Sequence, residues 1–419
     1  MSEVALRAGF AEVDITPPVG TRKIGWLKEI VIESVADPLF ARAAIAESGE
    51  EAIAFVQLDT LSVRWTQVND IRRRVEEQYG FRGRNIMVAA AHNHAGPAVA
   101  HCGDVPRDDW YIESMVARTV EMFGEALANM QEAEIGVASV MQWGLSHNRR
   151  VVMRDGAVRT HGRLDDPEAL FIEGPIDPEV SVVAARAAGD GEMLGALVNF
   201  ACHPTDHGDD GAASAGYPGV LAREMKERGC PFTLFLNGAS GNIAASHPME
   251  HMGRTLADDV EKALAAISFS SEVSIGAGSR NIQLPYREVT DDEVTGRVRG
   301  AQRFVDPAIY DREMPGLIER IEERGTQPAE VQALALGDHR FAGIPAEYFV
   351  ENGLRIKEGA HPLHVLVVSC ANGMVGYVPH KEAFLRGGYE TTFAPGAALA
   401  PEAGDMLADA VLALIAEVV

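Results

Sequence analysis

Asn85-Ile86-Met87-Val88-Ala89-Ala90-Ala91-His92-Asn93-His94-Ala95-Gly96-Pro97 is the stretch on which the reading of this chain turns. After Asn85 it is apolar for one strand length, as in a strand buried on both faces. Two imidazoles follow at once. Open α/β sheets collect their ligands just beyond the carboxyl ends of strands, so His92 and His94 fall where chemistry is expected. Rings two residues apart on an extended segment need not share one ion: one can bind while the other reaches a substrate.

The pattern repeats outward. Leu194-Gly195-Ala196-Leu197-Val198-Asn199-Phe200 is a second apolar run, and Ala201-Cys202-His203-Pro204-Thr205 delivers another histidine. Residues 52–56 and 363–369 read as further buried strands, the latter leading to Asn372-Gly373-Met374-Val375-Gly376-Tyr377. Gly343-Ile344-Pro345-Ala346-Glu347 places a carboxylate after Arg340-Phe341-Ala342. Helical spacing of apolar residues predicts helices over 67–79, 110–131, 216–228, 251–266, 311–324 and 401–418. Strands alternating with helices predict an α/β fold, mixed sheet layers flanked by helices. No Pro-, Ser- or Gly-rich linker divides the chain, so one domain over 1–419 is expected. Residues 6–17 echo 275–285. Each is followed by a strand ending near an acid (Asp59 or Glu347), a helix and another strand. This suggests two related halves, about 1–130 and 271–419, around one metal-centred cleft. Two histidines, a glutamate and one more oxygen at equivalent strand ends suit Zn²⁺, which accepts nitrogen and oxygen ligands and keeps a position for water or substrate in catalytic sites.

Composition excludes several other readings. Among 419 residues, 37 Lys and Arg against 61 Asp and Glu leave a formal charge of −24, which repels phosphate backbones and anionic lipid. No nucleic-acid partner is expected. With 47% hydrophobic and 23% charged residues the chain has a globular rather than a disordered composition. No apolar run approaches the roughly 18 residues that span a bilayer, so membrane insertion is not expected. The opening Met1-Ser2-Glu3-Val4-Ala5-Leu6-Arg7 has neither a basic nor an apolar signal region. Cys102, Cys202, Cys230 and Cys370 are widely spaced, against a disulfide framework. A reduced, cytoplasmic protein is expected, with a homo-oligomer left open as a partner.

The ordered set of motifs resembles the catalytic domain of neutral, non-lysosomal ceramidases, zinc-dependent amide hydrolases. It runs from Gly9-Phe10-Ala11-Glu12-Val13-Asp14-Ile15-Thr16-Pro17 through His92-Asn93-His94-Ala95-Gly96-Pro97, Asn148-Arg149, Asn199 to Thr205, Gly216-Tyr217-Pro218-Gly219, Gly241-Asn242 and Ile344-Pro345-Ala346-Glu347. It ends with Asn372 to Tyr377 and Tyr389-Glu390. The resemblance implies that His92, His203, Glu347 and Tyr377 are the zinc ligands. It also implies that His94, Arg149 and Tyr389 act on the substrate carbonyl and its surroundings. Two departures matter. Ala244 stands where the family has an active-site serine, and the sequence ends at Val419 without the family's C-terminal immunoglobulin-like domain. The expected activity is therefore zinc-dependent hydrolysis of an N-acyl bond in a small intracellular metabolite, with ceramide itself doubtful. An esterase, lactonase or deacetylase on the same site, or an inactive metal-binding homologue, are the alternatives.

Four further residues are assigned to substrate. Gly241 and Asn242 belong to a small-residue loop, 238–242, whose backbone N–H groups can approach a ligand, with a plain tight turn as the alternative. Arg159 is assigned to a substrate carboxylate, with a solvent-facing charge as the alternative. His207 is assigned to a loop covering the metal, against a merely solvated acidic loop. Asp59 is read as orienting a ligand histidine or capping the next helix.

Overall fold

The computed structural model describes residues 6–418. The chain forms β1 (Arg7–Asp14), β2 (Phe40–Ser48), β3 (Glu51–Leu58), α1 (Trp65–Tyr79), β4 (Ile86–Ala90) and α2 (Asp109–Ala128). Next come β5 (Gln131–Met141), β6 (Glu179–Ala187), β7 (Met193–Phe200), α3 (Gly216–Glu227), β8 (Thr233–Asn237) and α4 (Met249–Ala266). The last third holds β9 (Ile275–Pro285), α5 (Pro307–Arg324), β10 (Thr326–Leu336), β11 (His339–Gly343), α6 (Val350–Gly359), β12 (His364–Val368) and α7 (Ala403–Glu417). Shorter strands and turns complete it. The six expected helices are present, with ends displaced by no more than four residues.

One order of elements occurs three times. Three strands pair antiparallel in sequence, a helix crosses over to a fourth strand parallel to the third, and a second helix closes the unit. The first two units share an eight-stranded sheet ordered β8-β7-β6-β5-β1-β2-β3-β4, joined where Arg7 pairs with Glu132 and Ala8 with Gln131. The third forms a separate sheet, β9-β10-β11-β12.

Side-chain alternation along the strands sets the layers. Phe10, Phe55, Leu197 and Leu234 of the large sheet face Leu334, Phe341, Leu366 and Val368 of the small one in a single buried cluster. Phe55 and Phe341 meet with ring centroids 4.5 Å apart. Each such side chain contributes about 1.5–3 kcal/mol by leaving water. The opposite faces pack under helices: Val56 and Val88 against Ile71 and Phe123, Val182 and Val198 against Leu221 and Leu256, Val365 and Val367 against Ile356 and Val411. In α7 the buried Leu407, Val411, Leu414 and Ile415 recur at helical spacing, the stripe that anchors it to the small sheet. The result is helices, sheet, sheet and helices in layers. The chain leaves β4, β7 and β11 toward His92, His203 and Glu347, so the three parallel crossover units deliver the chemistry. Among the described residues no helix is long and apolar enough to cross a membrane.

Candidate metal centre

His92 Nε2 and His203 Nε2 lie 3.1 Å apart, and Glu347 Oε2 lies 3.3 Å from each. The two rings are oriented by main-chain carbonyls. His92 Nδ1 donates to the Leu61 oxygen at 2.7 Å and His203 Nδ1 to the Ser240 oxygen at 2.7 Å. A carbonyl can only accept, so each Nδ1 carries the hydrogen and, in the neutral ring, each Nε2 presents a lone pair. With both imidazoles neutral, two nitrogen lone pairs and a carboxylate oxygen converge, an arrangement that a cation in the centre relieves. Glu347 Oε2 is buried with no hydrogen-bond donor. Zinc–nitrogen bonds of 2.0–2.1 Å give tetrahedral edges of about 3.3 Å, close to the observed separations. The donor set fits a divalent metal.

Electrostatics hold Glu347 and His203 in ligand form. At His92, burial is outweighed by the neighbouring Cys370 and Glu347, which raise the pKa well above its ordinary value, so a metal must displace a proton there. Burial opposes ionisation of Glu347, yet His92 and His203 keep its carboxyl well below the usual range. Burial, then the charge of Arg149, lowers His203 to about 4. His94 is also held well below its ordinary value, by burial and by the two neighbouring imidazoles. His92 has φ +71°, a left-handed backbone rare outside glycine and concentrated at functional sites.

His94 stands beside the pair, its ring centroid 5.1 Å from that of His92 and 5.7 Å from that of His203. The three histidines place ligand atoms within 4.8 Å of one another. The His92–His203–Glu347 triangle is tighter, and His94 is tethered elsewhere. Its Nδ1 donates to the Gly25 oxygen at 3.2 Å, its carbonyl accepts from Trp26 Nε1 at 2.9 Å, and its Nε2 is buried without a partner. A Cβ at Gly25 (φ +114°) would lie 2.8 Å from His94 Nδ1, so only glycine permits this contact.

Tyr377 pairs directly with Glu347 in a short parallel bridge, which sets the phenol beside the carboxylate. Its hydroxyl accepts from Arg149 Nη2 at 3.3 Å, and the ring stacks on His203 at 6.5 Å. Burial, then the Glu347 charge, pushes the phenol well above its usual pKa. Tyr389 meets Tyr377 edge-on at 5.6 Å and is itself stacked on Phe304 at 4.8 Å. Seven of the expected site residues, His92, His94, Arg149, His203, Glu347, Tyr377 and Tyr389, are thus brought together.

The loop at 238–242 contributes main-chain oxygens to the site. Its carbonyls face the site: Ser240 holds His203, and Gly241 accepts from Arg149 Nη2 at 2.7 Å. The Gly241 N–H is already committed to the Tyr348 oxygen. Both polar atoms of the Asn242 side chain are committed. Its Oδ1 accepts from the Val350 N–H at 2.9 Å and its Nδ2 donates to Glu351 at 2.8 Å, capping the start of α6.

Arg159 lies on the strand Val158–Thr160, whose next residue, Thr160, faces inward to Glu390. Alternation turns Arg159 to the other face, where it pairs with Asp166 in solvent. His207 pairs with Asp210 of its own loop at 3.3 Å. Asp59 neither orients a histidine nor caps a helix: it binds Arg42, Gln57 and the Phe40 N–H. Ala244 is buried and bridged to His203, so no hydroxyl reaches the cluster from that position.

Sequence reasoning missed the partners that orient the site. Leu61 and Ser240 act through carbonyls, which carry no sequence signature. Lys23, whose side chain is wholly buried, ties down the 205–211 loop through the oxygens of His207 and Asp210. Cys202, beside His203, is buried.

No protein-family model matches the chain. Two solved structures resemble it throughout. The neutral ceramidase from Pseudomonas aeruginosa superposes with a TM-score of 0.76 at 18% identity, over 99% of this chain and 75% of that one. A ceramidase complexed with C2 gives a TM-score of 0.74 at 18% identity, over 98% of this chain and 75% of the other. The resemblance read from the motifs therefore holds at the level of the fold, and the chain has the α/β architecture of the neutral ceramidases.

Proposed function

We propose that this protein is a zinc-dependent hydrolase that cleaves the amide bond of a small N-acyl compound. The convergence of ligand atoms from His92, His203 and Glu347 carries the reading, and the ceramidase-like fold supports the choice of an amide over other acyl bonds. His92, His203, Glu347 and Tyr377 would hold the ion. When bound, zinc supplies a water whose pKa is lowered to about 7 and polarises the substrate carbonyl.

The chain's own residues do the rest. His94 Nε2, buried, unpartnered and uncharged, accepts a proton from the attacking water and returns it to the departing nitrogen. Water oxygen bonds to the carbonyl carbon, the C–N bond breaks, and a carboxylic acid and an amine leave, the acid then passing its proton to the amine. The charge of the Arg149 guanidinium and the Tyr389 hydroxyl stabilise the negative charge that develops on the carbonyl oxygen. Ala244 has no hydroxyl, so no acyl-enzyme is formed there and water attacks directly.

A panel of N-acyl amino acids, N-acetylated amines and short- and long-chain ceramides, each with its ester counterpart, tests this with and without chelator. Cleavage of an N-acyl member, lost with chelator and restored by zinc, is the expected result. Hydrolysis indifferent to chelator, or confined to the esters, would refute the reading.

A further inference from the structure

Glu390 lies at the centre of a buried network to which the reaction above gives no task. Its carboxylate is inaccessible to solvent. Oε1 accepts from Arg149 Nε at 2.8 Å, while Oε2 accepts from Arg150 Nη1 and from Thr160 Oγ1, each at 2.9 Å. Arg150 is paired in turn with Glu173. Two carboxylates and two guanidiniums thus alternate in a dry interior. Such networks are a weak source of stability, because desolvation offsets most of the attraction. Their geometric effect is stronger. With Nε of Arg149 pinned and the carboxylate plane locked by three donors, Nη2 is held between the Gly241 oxygen at 2.7 Å and the Tyr377 hydroxyl at 3.3 Å. The turn Tyr389–Thr391 that presents the Tyr389 ring carries this anchor as its second residue.

We infer that Glu390 is a positioning residue: it fixes the Arg149 guanidinium so that the Tyr377 hydroxyl stays turned toward His92, His203 and Glu347, and it thereby sets the affinity of that centre for its cation. The inference rests on the proposed metal centre but not on the choice of an amide substrate.

Zinc affinity, measured by competition with a chromophoric chelator, and thermal unfolding of the zinc-free proteins are compared for wild type, Glu390→Gln and Glu173→Gln. Glu390→Gln is expected to weaken zinc binding by about 10–100-fold, the usual effect of removing a partner that orients a ligand. Turnover should fall with it through kcat and with little change in KM. Glu173→Gln touches only the Arg150 end of the network, so it should lower the unfolding temperature and keep wild-type affinity. If Glu390→Gln does not fold, Thr160→Val removes one bond to Oε2, together with the acceptor of the Tyr389 N–H, and should show a smaller loss of affinity in the same direction. Wild-type zinc affinity in the Glu390 or Thr160 variant, or an equal loss in Glu173→Gln, overturns the inference. A wild type that binds no zinc overturns it together with the metal centre. Tight zinc without amide cleavage refutes only the choice of substrate.

Discussion

At Gly241 an added methyl would lie 2.5 Å from the Glu347 carbonyl oxygen and 3.0 Å from its carbon. Both are main-chain atoms that cannot swing aside. The loop that carries Ser240 and accepts from Arg149 is therefore pressed against the residue that supplies the carboxylate. Gly241→Ala should cost about 1–3 kcal/mol, as overpacking does, and should weaken zinc binding by shifting Glu347. Urea unfolding and a zinc titration measure the two effects, and an unchanged zinc affinity would show that the contact does not position the carboxylate. The sequence made the histidines and Glu347 legible, because each follows an apolar run and its residue type restricts what it can do there. It did not disclose that Gly241 acts by lacking a side chain, nor that Glu390 holds Arg149 across 241 positions of chain. Pairings at that distance leave no local pattern.

Among the elements, α6 shows how a short helix is stabilised from outside its own sequence. Val350-Glu351-Asn352-Gly353-Leu354-Arg355-Ile356-Lys357-Glu358-Gly359 contains Asn and Gly in its interior, residues of low helix propensity. Its first N–H is satisfied by Asn242, far away in the chain. Asn242→Ala should lower stability by about 1 kcal/mol, the usual cost of a lost cap, while leaving KM for a cleaved substrate unchanged. A raised KM with unchanged unfolding would restore Asn242 to the substrate. The long amphipathic helices were readable because one apolar stripe defines each of them. Strands such as Phe40-Ala41-Arg42-Ala43-Ala44-Ile45-Ala46-Glu47-Ser48 were not. Alanine has little intrinsic preference for a strand, and these residues are strands because the two sheets pack face to face around Ala44, Ala46, Ala133 and Ala185. That preference belongs to the packing and not to the segment.

In the whole molecule, the thrice-repeated order of strands and helices explains why a metal centre can be built from residues as distant as His92 and Tyr377. The ends of β4, β7 and β11 open at one place, and the link between the two sheets keeps them in register. Asn372 is such a link: its backbone and side chain together hold both polar groups of Val88 in β4, and its Nδ2 reaches Gln332 in β10 at 2.7 Å. The donors of the centre are the claim on which the rest depends, and two sets compete geometrically, His92 with His203, Glu347 and Tyr377, or the three histidines. X-ray absorption at the zinc edge of the zinc-loaded protein separates them most directly, with His94→Ala as the comparison. One zinc per chain, bound by two imidazole nitrogens with only oxygens, a water among them, as its other donors and unchanged in His94→Ala, is the predicted result. A shell of three imidazoles that loses one in His94→Ala, or the absence of stoichiometric zinc, would contradict the account.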